Sequence, residues 1–158
     1  MDCKKALNES NGDMDAAVKF FDQAIQLAED NVKKAENAYN AAVVLFSIKS
    51  YSKARQYAQK AIEYNGNYGA PYILIAQMYA SSPNWSDESA LNRCTYFLAI
   101  DKLQRAKNVD PSSAEEAQKL INTYSAHTPK AEDLFFLNLK KGDSVTIGGW
   151  IGESTVIR

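Results

Sequence analysis

Small apolar residues recur along this chain at the spacing of an α-helix. Three segments share one pattern, with apolar positions at i, i+4 and i+7: Ala17, Phe21 and Ala24; Ala54, Ala58 and Ala61; and Ala99, Leu103 and Ala106. A stripe at this spacing turns one face of a helix toward a neighbouring helix, and alanine lets the two backbones approach closely. The pattern therefore predicts tightly packed helices.

A second series of apolar residues lies on the intervening segments. Leu45 and Tyr79 are 34 residues apart, whereas Tyr79 and Tyr124 are 45 residues apart. The longer distance matches an insertion near residues 81–91, where serines and a proline break the helical pattern. Two alternating series predict an internal repeat of helix pairs. The second series comprises Ala38, Ala41, Ala42 and Leu45; Tyr72, Ile75, Ala76 and Tyr79; and Ala117, Leu120, Ile121 and Tyr124.

These residues resemble the tetratricopeptide repeat (TPR), in which an aromatic-x2-Leu-Gly-x2-Tyr helix precedes an Ala-x3-Phe-x2-Ala helix and a proline. The best-matching unit spans residues 69–111 and closes with Pro111, and the whole resemblance covers about residues 12–126. The first unit keeps only its second helix, and residues 114–124 match a capping helix. The resemblance implies an all-α fold over residues 1–128, a tetratricopeptide-type α-solenoid of antiparallel helix pairs.

The C-terminal extension, residues 129–158, differs in composition from the helical body. It contains four of the seven glycines among β-branched residues, which is typical of turns and strands. The runs 144–151 and 154–157 flank Gly152 and Glu153 and predict a β-hairpin. An isolated hairpin is marginally stable in water, so other side chains must pack it onto the last helices. The side chains expected to do so are Trp150, Phe135 and Phe136.

The same extension resembles the C-terminal region of TPR proteins of Bacteroidetes bacteria. The resemblance rests on residues 131–136, 141–143 and 148–155. It implies a bacterial protein and, because such relatives are often exported, a location in the cell envelope or periplasm. No apolar signal segment follows Met1 in this chain.

The overall composition is that of a globular protein with nearly balanced charge. Of the 158 residues, 46% are hydrophobic and 23% are charged, with 18 Lys and Arg against 19 Asp and Glu. This balance argues against nucleic acid as the main partner, because phosphate binding relies on an excess of basic residues. The longest wholly apolar run, residues 41–46, is six residues long. Since a membrane-spanning helix needs roughly 20 apolar residues, we expect no membrane insertion.

Few residues in the sequence could support catalysis or hold a metal. His127 is the only histidine, and a cation at a predicted helix end interacts favourably with the helix dipole. Cys94 follows Arg93 but is expected to be a buried thiol within a helix. One histidine and two distant cysteines cannot form a typical zinc site. The sequence therefore predicts no enzyme activity, no metal and no cofactor.

The resemblance instead implies a scaffold that binds a protein or peptide in the concave groove of the solenoid, which the first helix of each pair lines. Aromatic side chains would supply contact area, and amides would pair with a peptide backbone. Tyr39 and Phe46 have an alternative role in packing between adjacent repeats. No groove position carries Lys or Arg, which argues against a carboxylate clamp of the chaperone-docking kind. The predicted groove residues are Glu36, Tyr39, Val43, Phe46, Ile73, Gln77, Gln118 and Asn122.

Two further alternatives stay open at this point. Trp85, in the insertion, is either a second contact for a partner or a loop tryptophan folded back onto the helices. The chain as a whole has an alternative function as a structural C-terminal end-piece that caps a longer repeat array, because its first unit is incomplete. Under that hypothesis the N-terminal helices expose an apolar face, through which the chain can form a homo-oligomer.

Overall fold

The helices predicted from the two apolar series are present in the computed structural model, which describes residues 14–158. The chain divides into two compact units, Met1–Pro71 and Tyr72–Arg158. Residues 1–13, and with them Cys3, lie outside the described residues. The predicted all-α architecture is confirmed.

The described part of the first unit consists of α1 (Met14–Gln26), α2 (Asn31–Ser47) and α3 (Tyr51–Tyr64). Asp30 caps α2, because its carboxylate accepts a hydrogen bond of 2.8 Å from the backbone N–H of Lys33. Lys49 adopts a φ of 62° in the short turn between α2 and α3. This left-handed conformation reverses the chain direction within a few residues.

The predicted alanine stripes form the core of this unit. The ring of Phe21 meets the edge of Tyr57, with centroids 5.9 Å apart. The Tyr57 hydroxyl donates to the Asp22 carboxylate at 2.6 Å, and the Asn37 side-chain amide donates to the Ala24 carbonyl at 2.9 Å. These contacts tie α1 to both α2 and α3. The buried stripe residues are Ala17, Phe21, Ala24, Ala38, Ala41, Ala42, Leu45, Ala54, Ala58 and Ala61.

The second unit contains nearly all of α4 (Ala70–Ala80), then α5 (Ser89–Arg93), α6 (Thr95–Val109), a 3-10 turn (Pro111–Ser113), α7 (Ala114–Ser125) and α8 (Ala131–Phe135). The predicted insertion is a non-helical segment that ends in α5. The Asp110 carboxylate accepts hydrogen bonds from the backbone N–H and the hydroxyl of Ser112 and so stabilises the turn between α6 and α7. The predicted capping helix is α7.

The predicted hairpin is present, but its strands are shorter than the sequence suggested. Strand β1 (Ser144–Thr146) pairs with β2 (Ser154–Val156) in antiparallel register, with Val145 opposite Thr155. The first strand was predicted to extend through residue 151. That prediction is wrong beyond Thr146, where β1 ends because the chain turns. Two of the loop glycines, Gly149 and Gly152, have φ values of 65° and 62°, which other residues adopt rarely.

The packing of the hairpin also differs from expectation. Phe135 and Phe136 are 75% and 83% exposed, so they do not hold it in place. A five-residue helix such as α8 can bury only one side, and there the buried residue is Leu134. Trp150 does pack against a helix, but that helix is α4 and not one of the last helices: the centroid of the Trp150 ring lies 5.6 Å from that of Tyr79. The hairpin is further held by the Thr155 hydroxyl, which donates to the Asp101 carboxylate at 2.6 Å.

Within residues 14–158, no helix is both long enough and apolar enough to span a membrane.

Candidate binding surfaces

One face of α2 carries the predicted groove residues of the first unit. Glu36 is exposed, Val43 is 37% exposed, and Tyr39 and Phe46 are half-buried. Their spacing of three or four residues aligns them along the helix, while the alanines between them pack into the core. We call these four residues the α2 stripe. It presents apolar and aromatic surface beside a single carboxylate.

Both aromatic residues of the α2 stripe are held by a second aromatic ring of the same unit. Tyr39 meets the edge of Tyr68 at a centroid distance of 5.4 Å, and Phe46 lies 5.7 Å from Tyr51. These contacts agree with the packing role considered for both residues. The rings nevertheless stay partly exposed, and a ring already held in place loses little conformational entropy when it binds a partner.

The α4 positions predicted to face the groove are less accessible. Ile73 is buried, with 4% of its surface exposed, and Gln77 is half-buried. Helix α4 is apolar on nearly every side, which is the pattern of a helix enclosed by its neighbours. The assignment of Ile73 to an open groove is therefore corrected, because its side chain offers almost no surface to a partner.

On α7 the two predicted amides form a chain of hydrogen bonds with a lysine. Gln118 donates from its amide nitrogen to the Asn122 side-chain oxygen at 2.9 Å, and Lys107 donates to the Gln118 oxygen. The sequence reasoning missed Lys107, because it belongs to the last turn of α6. Its position close to the α6–α7 turn was the available signal, since residues on either side of a tight turn lie close in space. The fold thus places the cation Lys107 beside Gln118 and Asn122, two predicted groove positions that are uncharged.

Residues considered for catalysis take structural roles. Burial raises the pKa of the Cys94 thiol to about 11, and its sulfur donates to the Ala90 carbonyl at 3.4 Å. A thiol with so high a pKa is not a nucleophile near neutral pH. The ring of His127 stacks on Tyr96 with centroids 5.2 Å apart. Throughout residues 14–158, no three His, Cys, Asp or Glu side chains gather into a metal site.

Trp85 is folded back onto its own unit. Its indole N–H donates to the Thr95 hydroxyl at 2.9 Å, and its backbone N–H bonds to the Asn92 side-chain oxygen at 3.1 Å. The ring also lies against Gly148 of the hairpin loop. Of the two roles considered for Trp85, these contacts support packing.

The helical fold and the sequence of this chain are similar to those of known proteins. A solved structure of the TPR2B domain of yeast Sti1 in complex with pHsp70 has a TM-score of 0.56 and 25% identity, and the match covers 79% of this chain and 91% of that one. The Hsp70-Hsp90 organising protein of Plasmodium falciparum is 31% identical over 136 residues. This chain is a tetratricopeptide repeat protein.

The match to the Plasmodium relative covers 70% of the TPR protein but only 23% of the relative's length. No family model matches the TPR protein. Both of these relatives come from eukaryotes, so the bacterial origin and the envelope location inferred from the C-terminal extension stay predictions.

Proposed function

We propose that this TPR protein is a non-enzymatic scaffold that binds a peptide segment of a partner protein, with the α2 stripe as the main contact in the first unit. The partial exposure of four aligned side chains on α2, two of them aromatic, carries the proposal. The similarity to a TPR domain solved as a pHsp70 complex supports it.

The chemistry of the α2 stripe suits an apolar peptide side chain next to a neutral or basic one. Tyr39, Val43 and Phe46 supply a surface on which an aliphatic or aromatic side chain can be buried. Glu36 is the only charged member, and it would attract a cation and repel a carboxylate. In the second unit, Gln118 and Asn122 are proposed to contribute amide contacts to a peptide backbone, as groove residues of α7.

The test is a selection of a random dodecapeptide display library on the full chain, followed by affinity measurements on the enriched peptides by fluorescence anisotropy. Substitution of Val43→Glu or Tyr39→Ala should raise Kd by at least about tenfold, the loss expected for a buried contact. Gln59→Glu, at an exposed position of α3, is the matched control for added charge and should leave Kd unchanged.

Circular dichroism separates binding from folding in this test. The proposal requires that the α2-stripe variants keep the helical signal of the wild type while they lose the peptide. Peptides that bind the wild type and both α2-stripe variants equally would contradict the use of this surface. If Tyr39→Ala loses helical signal, Val43→Glu still tests the α2 stripe, because the side chain of Val43 is more exposed and its substitution should not disturb the fold.

A second candidate is the end-piece that caps a longer repeat array, which two exposed apolar residues favour. Leu27 is 80% exposed and Val32 is 55% exposed, and both flank the turn between α1 and α2. An additional repeat could cover such a surface. Sedimentation velocity tests this candidate. A mass that rises with concentration in the wild type and falls to the monomer value in Leu27→Ser supports it. A wild-type monomer at all concentrations contradicts it.

A further inference from the structure

Two adjacent phenylalanines project from the C-terminal extension. Phe135 and Phe136 are 75% and 83% exposed, and their rings lie edge to face with centroids 6.4 Å apart. Burial of a large aromatic side chain is favourable, and an exposed one does not gain this stabilisation. Two adjacent exposed aromatic residues therefore mark a contact surface more often than an isolated apolar residue does.

A cavity of about 240 Å³ opens beside Phe135. Its apolar lining includes Pro129, Leu134, Leu139 and Ile157, and all of these except Leu139 are buried. The backbone around it is fixed by hydrogen bonds, from Leu139 N–H to the Leu134 carbonyl at 3.0 Å and from Gly142 N–H to the Ile157 carbonyl at 2.8 Å. The cavity is therefore a preformed apolar recess of about the volume of one large side chain.

The charged residues that line this cavity are all basic. They are Lys140, Lys141 and Arg158, and no Asp or Glu side chain lines the cavity. Arg158 is paired with the Asp101 carboxylate. The side chains of Lys140 and Lys141 are exposed, and no carboxylate of residues 14–158 lies in ion-pair contact with them. The nearby Asp143 instead accepts a hydrogen bond of 2.9 Å from the backbone N–H of Lys140.

We propose that this cavity docks an acidic peptide segment of a partner protein, whose aliphatic or aromatic side chain enters the recess against Phe135. Asp or Glu side chains next to it in the peptide pair with Lys140 and Lys141. Charge complementarity supports this choice: an apolar recess bordered by two lysines without an ion-pair partner matches an apolar side chain between carboxylates. This docking site is separate from the α2 stripe and does not depend on it.

A peptide fits the surface better than an anionic membrane does. Glu132 and Asp133 are exposed on α8, on the same short helix as Phe135. A flat membrane surface would bring these carboxylates against the lipid headgroups together with Phe135, whereas neither carboxylate lines the recess that a peptide side chain would enter. A concave recess also accepts a single side chain, whereas membrane insertion requires only a protruding one.

The experiment selects a random heptapeptide display library in parallel on the wild-type chain and on the double variant Lys140→Glu, Lys141→Glu. The expected result is enrichment on the wild type, and not on the variant, of peptides with Asp or Glu within two positions of an aliphatic or aromatic residue. The strongest peptide is then labelled with fluorescein and titrated by anisotropy.

In the titration, Kd should rise at least about tenfold for the double-lysine variant and for Phe135→Ser, because each removes one part of the contact. The control is the double variant Arg105→Glu, Lys119→Glu, which makes the same change in net charge at exposed positions of α6 and α7. It should change Kd by less than about threefold, since distant exposed charges are screened. All substituted residues are exposed, and circular dichroism verifies that the variants fold.

Four outcomes would overturn the proposal. The first is a failure to enrich acidic–apolar peptides, and the second is equal enrichment on the double-lysine variant. The third is cosedimentation with phosphatidylserine–phosphatidylcholine vesicles that Phe135→Ser abolishes, without peptide binding. The fourth is a dimer in sedimentation velocity that Phe135→Ser converts to a monomer, which would assign the surface to a second copy. A peptide whose binding is lost in Val43→Glu instead belongs to the α2 stripe, so the two proposals can fail separately.

Discussion

The hydroxyl of Tyr79 on α4 donates a hydrogen bond to the carboxylate of Glu153, in the loop between the two strands. The same carboxylate lies 2.8 Å from the ammonium of Lys102 on α6. Trp150 from this loop packs against the Tyr79 ring. One loop is therefore attached to two helices, by charge-assisted hydrogen bonds and by aromatic packing, and this attachment gives a two-stranded sheet a stable position.

Removing the Tyr79 hydroxyl should weaken the fold without changing its shape. Tyr79→Phe keeps the ring contact but removes a hydrogen bond to a charged group, so we expect the free energy of unfolding to fall by about 1–3 kcal/mol. Urea titration followed by circular dichroism measures this change. The control is Tyr72→Phe, at a half-buried position of the same helix, which should cost less than about 0.5 kcal/mol. Equal losses in the two variants would show that the Glu153 contact is not what matters.

Gly148 is required by the close approach of Trp85. A Cβ atom at Gly148 would lie 2.7 Å from Cε3 of the indole, and the hydrogen bond to Thr95 holds that ring in place. Gly148→Ala should therefore lower the free energy of unfolding by about 1–3 kcal/mol, the cost of overpacking. At Gly66 the nearest atom would be 4.0 Å away, so Gly66→Ala should not destabilise. Both are measured as shifts in the thermal midpoint, and an unchanged midpoint in Gly148→Ala would refute the predicted clash.

Thr155 and Thr146 provide a matched pair on the hairpin. The buried Thr155 hydroxyl donates to the Asp101 carboxylate at 2.6 Å, whereas the exposed Thr146 hydroxyl bonds only to the Ser154 hydroxyl across the strands, at 2.8 Å. Thr155→Val should cost about 1.5–3 kcal/mol because it removes a hydrogen bond to a charged group. Thr146→Val should be nearly neutral, since water replaces its partner. Chemical denaturation measures both losses. A larger loss of unfolding free energy in Thr146→Val than in Thr155→Val would contradict this assignment.

The buried thiol of Cys94 makes stability depend on pH in the alkaline range. Its pKa is raised from 9.0 to about 11 by burial, so the unfolded chain loses this proton at lower pH than the folded one. The free energy of unfolding is therefore unaffected by this thiol below pH 9. It falls by up to ~3 kcal/mol as the pH rises from 9 toward 11.

The measurement is urea unfolding at several alkaline pH values in a Cys3→Ser background. The same series in Cys3→Ser, Cys94→Ala removes the thiol while other groups still titrate, so the difference between the two curves isolates Cys94. A difference that does not change with pH would mean that the thiol is as ionisable folded as unfolded.

Local spacing was enough to predict the helices. The positions of Ala17, Phe21 and Ala24, and of their counterparts on α3 and α6, specify which face of each helix is buried, because a period of 3.6 residues is a property of the helix itself. The glycines and β-branched residues of the C-terminal extension likewise predicted a hairpin. The length of its strands could not be read from them, since a run of β-formers contains no information on where the partner strand ends.

The candidate sites depended more on tertiary structure. Periodicity placed Ile73 toward an open groove, yet the fold encloses it, because burial is set by neighbours distant in sequence. The same holds for Lys107, which reaches Gln118 only once α6 and α7 are packed.

The sequence by itself therefore determined the helical repeat and its buried alanine faces, because the spacing of apolar residues follows the period of a helix. Tertiary structure alone decided that Trp85 packs inward and that Phe135 stays exposed beside an apolar recess with a basic rim. Both residues are large aromatic side chains, and their place inside or outside the core depends on the space and the hydrogen-bond partners that distant segments provide.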